Sequence, residues 1–205
     1  MNLRLAVAVT LVCCVGLSAQ SYEFKSTWKL QGAEKLDLAG KKVTAVLISR
    51  DDSLRMSVEE AIVRELTARG RIGVAAYRSI PAELLEDPDK ARAWFERTGV
   101  SSVIVMRVLS VDKETVASAV VWSTMYYQDF NNYYATGWGN AIPLRTREVT
   151  TIAVETLLFD VATGKLIWGS VTESANPKNV QTYIAGLADE IGKRLQREGV
   201  VIPPK

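Results

Sequence analysis

The residues that could do chemistry are few. The 205-residue chain has no histidine, and its two cysteines, Cys13 and Cys14, are adjacent near the N-terminus. Without imidazole there is no Ser-His or Cys-His nucleophile pair and no histidine acid or base, and two neighbouring cysteines do not make a zinc site. Ser26-Thr27-Trp28-Lys29 has the Ser-x-x-Lys spacing in which a lysine activates a serine, but the Ser-Asp-Asn and Lys-Thr-Gly elements that accompany it are missing. Gly40-Lys41 and Gly164-Lys165 lack both the upstream glycine and the following Ser or Thr of a phosphate-cradling loop. The acid pairs Asp51-Asp52 and Glu59-Glu60 could supply carboxylates for glycosidic acid/base work. Their positions, at a helix start and on its outer face, fit a cap and a solvated surface better. No Asp/Glu spacing matches a calcium loop. The residues therefore assign no catalytic group, cofactor or metal.

One stretch stands apart. Trp122, Tyr126, Tyr127, Phe130, Tyr133, Tyr134 and Trp138 crowd into residues 122–138 among Gln128, Asn131, Asn132, Gly137 and Gly139. Tyrosine and tryptophan give large contact area with few rotatable bonds, and amides adapt their hydrogen bonds, so this composition suits a recognition loop. The same rings could instead fold back on the sheet as core. Asp129 is the interval's one charge, which points to a glycan strand or a protein edge as partner rather than an anion.

The elements that would position this interval are legible in the rest of the chain. Hydrophobic residues make up 48% and charged residues 23%, with 25 basic against 23 acidic side chains, the profile of an ordinary globular domain. A formal charge of +2 gives no general reason to expect nucleic acid. Residues Met1 to Ala19 place Arg4 before an apolar run from Leu5 to Val15 and then Gly16, Leu17, Ser18 and Ala19, the three-part pattern of a secretory signal, too short to span a bilayer comfortably. Two processing routes stand open: cleavage after Ala19, or acylation of Cys14 within the lipobox-like Leu11-Val12-Cys13-Cys14, in which Cys13 replaces the usual small residue. The membrane would then be met only through a lipid anchor.

After a lead-in over residues 20–42, read as irregular or as an edge strand, a single domain is expected over 43–198 and an extended tail over 199–205. Val43 to Ser49 reads as a strand buried on both faces. A helix follows from Asp51–Ser53 to Arg69, with Leu54, Val58, Ala61, Ile62 and Leu66 as its buried stripe and Arg55, Glu59, Glu60 and Arg64 facing water. Strands over Ile72 to Tyr77 and Ser101 to Val111 flank a helix that opens at Asp87-Pro88. The second half supplies strands over Glu114 to Trp122 and Glu148 to Asp160, then a tight turn at Asp160-Val161-Ala162-Thr163-Gly164-Lys165 into a strand over Leu166 to Ser174. A last helix starts at Asn176-Pro177 and ends before Gly199. The fold class is α/β (α+β): a mixed sheet of five to six strands in the order β-α-β-α-β-β-β-β-α, with helices packed on it and the C-terminal helix closing.

This order, with the hairpin Asp160-Val161-Ala162-Thr163-Gly164-Lys165-Leu166-Ile167-Trp168, resembles a family of bacterial envelope lipoproteins without assigned activity. More distantly it is similar to the α/β domain of curli-secretion-channel lipoproteins, peptidoglycan-synthase activator lipoproteins and the N-terminal domain of the Tol translocation protein. The resemblance implies a non-catalytic binding or assembly factor in the periplasm or cell envelope, with an envelope protein or cell-wall glycan as partner, or a structural subunit that forms a homo-oligomer. The rival from another class is a cell-wall hydrolase using carboxylates.

Overall fold

The computed structural model describes residues 22–81, 84, 87–111, 129–131, 133–134, 151–175 and 179–203. The leader, with Cys13 and Cys14, and the strand expected over Glu114 to Trp122 lie outside the described residues. Among the described residues, six strands form one mixed sheet in the spatial order β1-β6-β5-β4-β2-β3. They are β1 (Glu23–Lys29), β2 (Lys42–Ile48), β3 (Ile72–Ala75), β4 (Val100–Val111), β5 (Thr151–Asp160) and β6 (Leu166–Ala175). Helices α1 (Asp52–Ala68), α2 (Ala76–Ser79), α3 (Pro88–Arg97) and α4 (Val180–Arg197) pack on it.

The parallel part is β3-β2-β4. The chain steps from β2 outward to β3 through α1, then back across β2 to β4 through α3. Crossovers of one hand running in opposite directions put their helices on opposite faces of the sheet. So α1 and α4 bury Val43, Ala45, Leu47, Ile104, Met106 and Ile152 on one face. On the other face α2 and α3 bury Val46, Ile48, Val103 and Val105, with Ala91 and Phe95 as helical partners. Residues of odd and even number alternate between these two cores, as the pleat requires.

The helix starts follow from capping chemistry. Asp51 accepts from Leu54 N–H at 3.0 Å, and Asp87, before Pro88, accepts from Lys90 N–H at 3.1 Å. For α4 the cap is Asn179, whose Oδ1 accepts from Thr182 N–H at 2.7 Å, so the helix starts later than the Asn176-Pro177 pair suggests. The strand expected to reach Tyr77 stops at Ala75, because Ala76–Ser79 close a helical turn. The lead-in is an edge strand: β1 pairs antiparallel with β6, and Leu36 bridges Val201 of the tail.

Two side chains assigned to solvent on α1 are buried. Arg55 is 9% exposed and Glu59 is fully buried. Glu59 accepts from Leu47 N–H at 3.0 Å and from Tyr77 N–H at 2.7 Å, tying α1 to the end of β2 and to α2. Those free N–H groups, left where β2 ends and α2 begins, are what draw a carboxylate inward. Burial pushes Glu59 up to about 7, against the opposing pull of those N–H groups and Arg55.

Candidate functional site

Among the rings of the aromatic interval, Phe130, Tyr133 and Tyr134 are described, and Trp122, Tyr126, Tyr127 and Trp138 lie outside the described residues. The three are in helical conformation and are 5%, 0% and 0% exposed, so they are core and not open contact surface. Their spacing explains the placement: positions i, i+3 and i+4 share one side of a helical turn.

That side meets the sheet face covered by α3. Phe130 packs edge-on to Phe95 of α3 and Phe159 of β5, with ring centroids 5.3 Å from each. Tyr133 lies 5.6 Å from Phe159, and Tyr134 lies 5.1 Å from Phe130. Each such pair adds about 0.5–1.5 kcal/mol beyond its buried area. Phe130 N–H also donates to the Gly164 carbonyl at 2.8 Å, fixing the segment to the β5–β6 turn. That turn forms as the sequence suggests: Asp160 accepts from Thr163 N–H at 3.0 Å and from its hydroxyl at 2.6 Å, and Gly164 takes a φ of 67°. Trp168 beyond it is buried and donates to Glu198 at 2.6 Å.

Under Tyr133 sits a buried ion pair. Arg107 of β4 and Glu155 of β5 are directly opposite in register, and Arg107 Nε and Nη2 donate to Glu155 Oε2 at 3.2 and 3.1 Å. Tyr133 Oη donates to the same oxygen at 2.5 Å, and its ring faces the Arg107 guanidinium with 5.7 Å between centres. Glu155 is fully buried and Arg107 is 9% exposed. A charge pair this far from water is tolerated when hydrogen bonds complete it, and losing one partner costs about 3–5 kcal/mol. Tyr133 is thus held both by packing and by a charged acceptor beneath it. The chain leaves the sheet at Val111 and returns at Thr151, neighbouring positions at one end, whereas Phe130 is pinned at the other end beside Gly164. The described segment is therefore an anchor midway along the β4–β5 connection.

The other sequence patterns resolve into structural roles. Ser26 and Lys29 are an odd number of residues apart on β1 and point to opposite faces, so they do not meet. Lys29 Nζ donates instead to the Glu198 carbonyl at 2.9 Å, at the C-terminus of α4. Asp51 is a cap, Asp52 pairs with Arg55 at 3.3 Å, and Glu60 accepts from Tyr77 Oη at 2.9 Å and pairs with Arg78. Among the described residues no group of three or more acidic or cysteine side chains is placed to hold a metal ion, and no helix is long and apolar enough to cross a membrane.

Sequence reasoning missed the Arg107–Glu155 pair. Its signal is present: one opposite charge in each of two apolar strand runs, Val103–Val108 and Ile152–Phe159.

No family model matches the chain, and no curated protein matches it. Solved structures do resemble it. A PelC dodecamer from Paraburkholderia phytofirmans aligns at a TM-score of 0.46 with 14% identity, covering 83% of this chain and 96% of that one. A singly substituted form of the same protein aligns at 0.46 with 15% identity, covering 83% and 98%. Lipoprotein GNA1162 from Neisseria meningitidis aligns at 0.36 with 12% identity, covering 77% and 96%. Likeness of this degree is a matter of coarse layout, and no residue role is transferred from it.

Proposed function

We propose that the chain is an exported, non-catalytic binding or assembly domain of the cell envelope, and that it takes an envelope protein or a cell-wall glycan on Trp122, Tyr126, Tyr127 and Trp138. The supporting observation is the anchor. Phe130, Tyr133 and Tyr134 fix the middle of the β4–β5 connection to the sheet through ring packing and the Arg107–Glu155 pair. The four rings on either side of it are then left to serve contact, and they are of the type that recognition loops favour. The leader from Met1 to Ala19 supplies the export signal in this reading, with cleavage after Ala19 or acylation of Cys14 as the processing step. Self-association would repeat the contact stretch and add avidity without new contacts.

A photo-crosslinking residue at position 126 or 138, introduced in the native envelope, tests the proposal. The expected result is a discrete crosslinked envelope protein or glycan adduct that disappears when the other three rings are changed to Ser. A probe that gives no adduct from either position, or adducts indifferent to those changes, refutes it.

A further inference from the structure

On the sheet face opposite the anchor, α1 and α4 leave an open cleft of about 40 Å³. Ile104 and Met106 floor it, and Ile62, Leu66, Ala188 and Ile191 wall it. Two guanidinium groups, those of Arg69 and Arg71, also line it, and they are not equivalent. Arg69 is held in two ion pairs: it pairs with Glu65 and, at 2.9 Å, with Asp189, crossing α4 at Gly192, where a Cβ would collide with it.

Arg71 is different. It is only 7% exposed, yet among the described residues its guanidinium makes a single hydrogen bond, from Nη1 to the Arg69 carbonyl at 2.9 Å. Among the described residues no carboxylate lies within ion-pair distance of it. A guanidinium has five N–H donors, so most of this one's capacity is not taken up by protein groups, beside a wall that is apolar apart from Arg69 and Glu65. Burial and the nearby Arg69 charge press its pKa down, against the opposing pull of Glu65. A buried cation with no carboxylate in direct contact is costly to a fold, and the cost is offset when an anion completes it.

We propose that this cleft is a binding site for a short aliphatic carboxylate, with Arg71 taking the oxygens and the carbon chain lying against Ile62, Leu66, Ala188 and Ile191. The guanidinium fork matches a carboxylate in two parallel hydrogen bonds. The cleft is small and open on one side, which suits a short chain rather than a long acyl tail.

The test is calorimetric titration of the purified full chain with hexanoate, alongside thermal midpoints. Hexanoate binds and raises the midpoint. Hexanamide, without the charge, and acetate, without the chain, bind at least about tenfold more weakly. Arg71→Gln weakens hexanoate by about ten- to a hundredfold, the loss of a charge-assisted contact, and leaves the ligand-free midpoint unchanged or higher because a buried charge is removed and no ion pair is lost with it. Ala188→Leu fills the cleft and blocks hexanoate with Arg71 intact. The proposal is overturned by the absence of heat and midpoint shift at about 10 mM hexanoate. It is equally overturned by hexanamide binding as well as hexanoate, or by Arg71→Gln or Ala188→Leu binding hexanoate as tightly as the parent.

Discussion

Tyr133→Phe separates the hydroxyl of the anchor from its ring. The ring keeps its place 5.6 Å from Phe159, and the lost atom is the donor 2.5 Å from Glu155 Oε2. Glu155 is fully buried, so water does not replace that donor readily. A hydrogen bond to a charged, buried acceptor is worth about 1.5–3 kcal/mol. For a chain of this length each kcal/mol moves the thermal midpoint by about 2–4 °C, which gives a drop of roughly 3–12 °C. Circular dichroism melts measure it directly, and an unchanged denaturant slope shows that only stability has moved. Tyr133→Ser, which also empties the ring's space, costs more, about 3–5 kcal/mol. If the Tyr133→Phe midpoint stays within about 1 °C of the parent, the hydroxyl is not engaged with a buried carboxylate and the anchor argument fails.

Glu59 gives the fold a pH dependence of definite sign. Its folded pKa is raised from 4.5 to about 7, so the folded state holds the proton more tightly than the unfolded chain. Its contribution is full below about 4.5 and is lost as pH rises through about 7. The loss is on the order of 3 kcal/mol, and it is read by urea titrations at stepped pH values. Glu59→Gln flattens that slope, and a parent whose stability rises between pH 5 and 7 by the same order contradicts the assignment. Gly73→Ala destabilises by about 1–3 kcal/mol, although a strand glycine ordinarily gains from the change. The added Cβ would lie 2.9 Å from the Val63 carbonyl oxygen of α1, a backbone atom that cannot rotate away. A neutral Gly73→Ala melt would show that β3 and α1 are less tightly apposed than described.

How far the sequence carries depends on what each feature answers to. The run Val43–Ile48, the stripe Leu54–Leu66 and the turn at Asp160–Gly164 are set by local rules of burial, periodicity and positive φ, and they are legible in advance. Glu59 is not, because its partners are N–H groups of Leu47 and Tyr77, brought near only when β2, α1 and α2 assemble. The aromatic interval is the harder case. Composition marks it as special but does not tell a ring that covers Phe159 from one that meets a partner. The i, i+3, i+4 spacing of Phe130, Tyr133 and Tyr134 is the local hint of a buried side. What decides it is the second sheet face, where Leu157 and Phe159 of β5 and the pair Arg107–Glu155 need a cover. Arg71 escaped notice for the converse reason, since only the packed helices show that no acid of the described residues pairs with it.

In the proposed function the interval divides into rings that hold the fold and rings that meet a partner. Two variants measured side by side for thermal midpoint and for crosslinked adduct test it most directly: one with Trp122, Tyr126, Tyr127 and Trp138 changed to Ser, the other Tyr133→Phe. The first keeps its midpoint and loses its adduct, whereas the second melts several degrees lower and, held below its transition, still forms the adduct. A first variant that unfolds, or a second that melts like the parent, would contradict it.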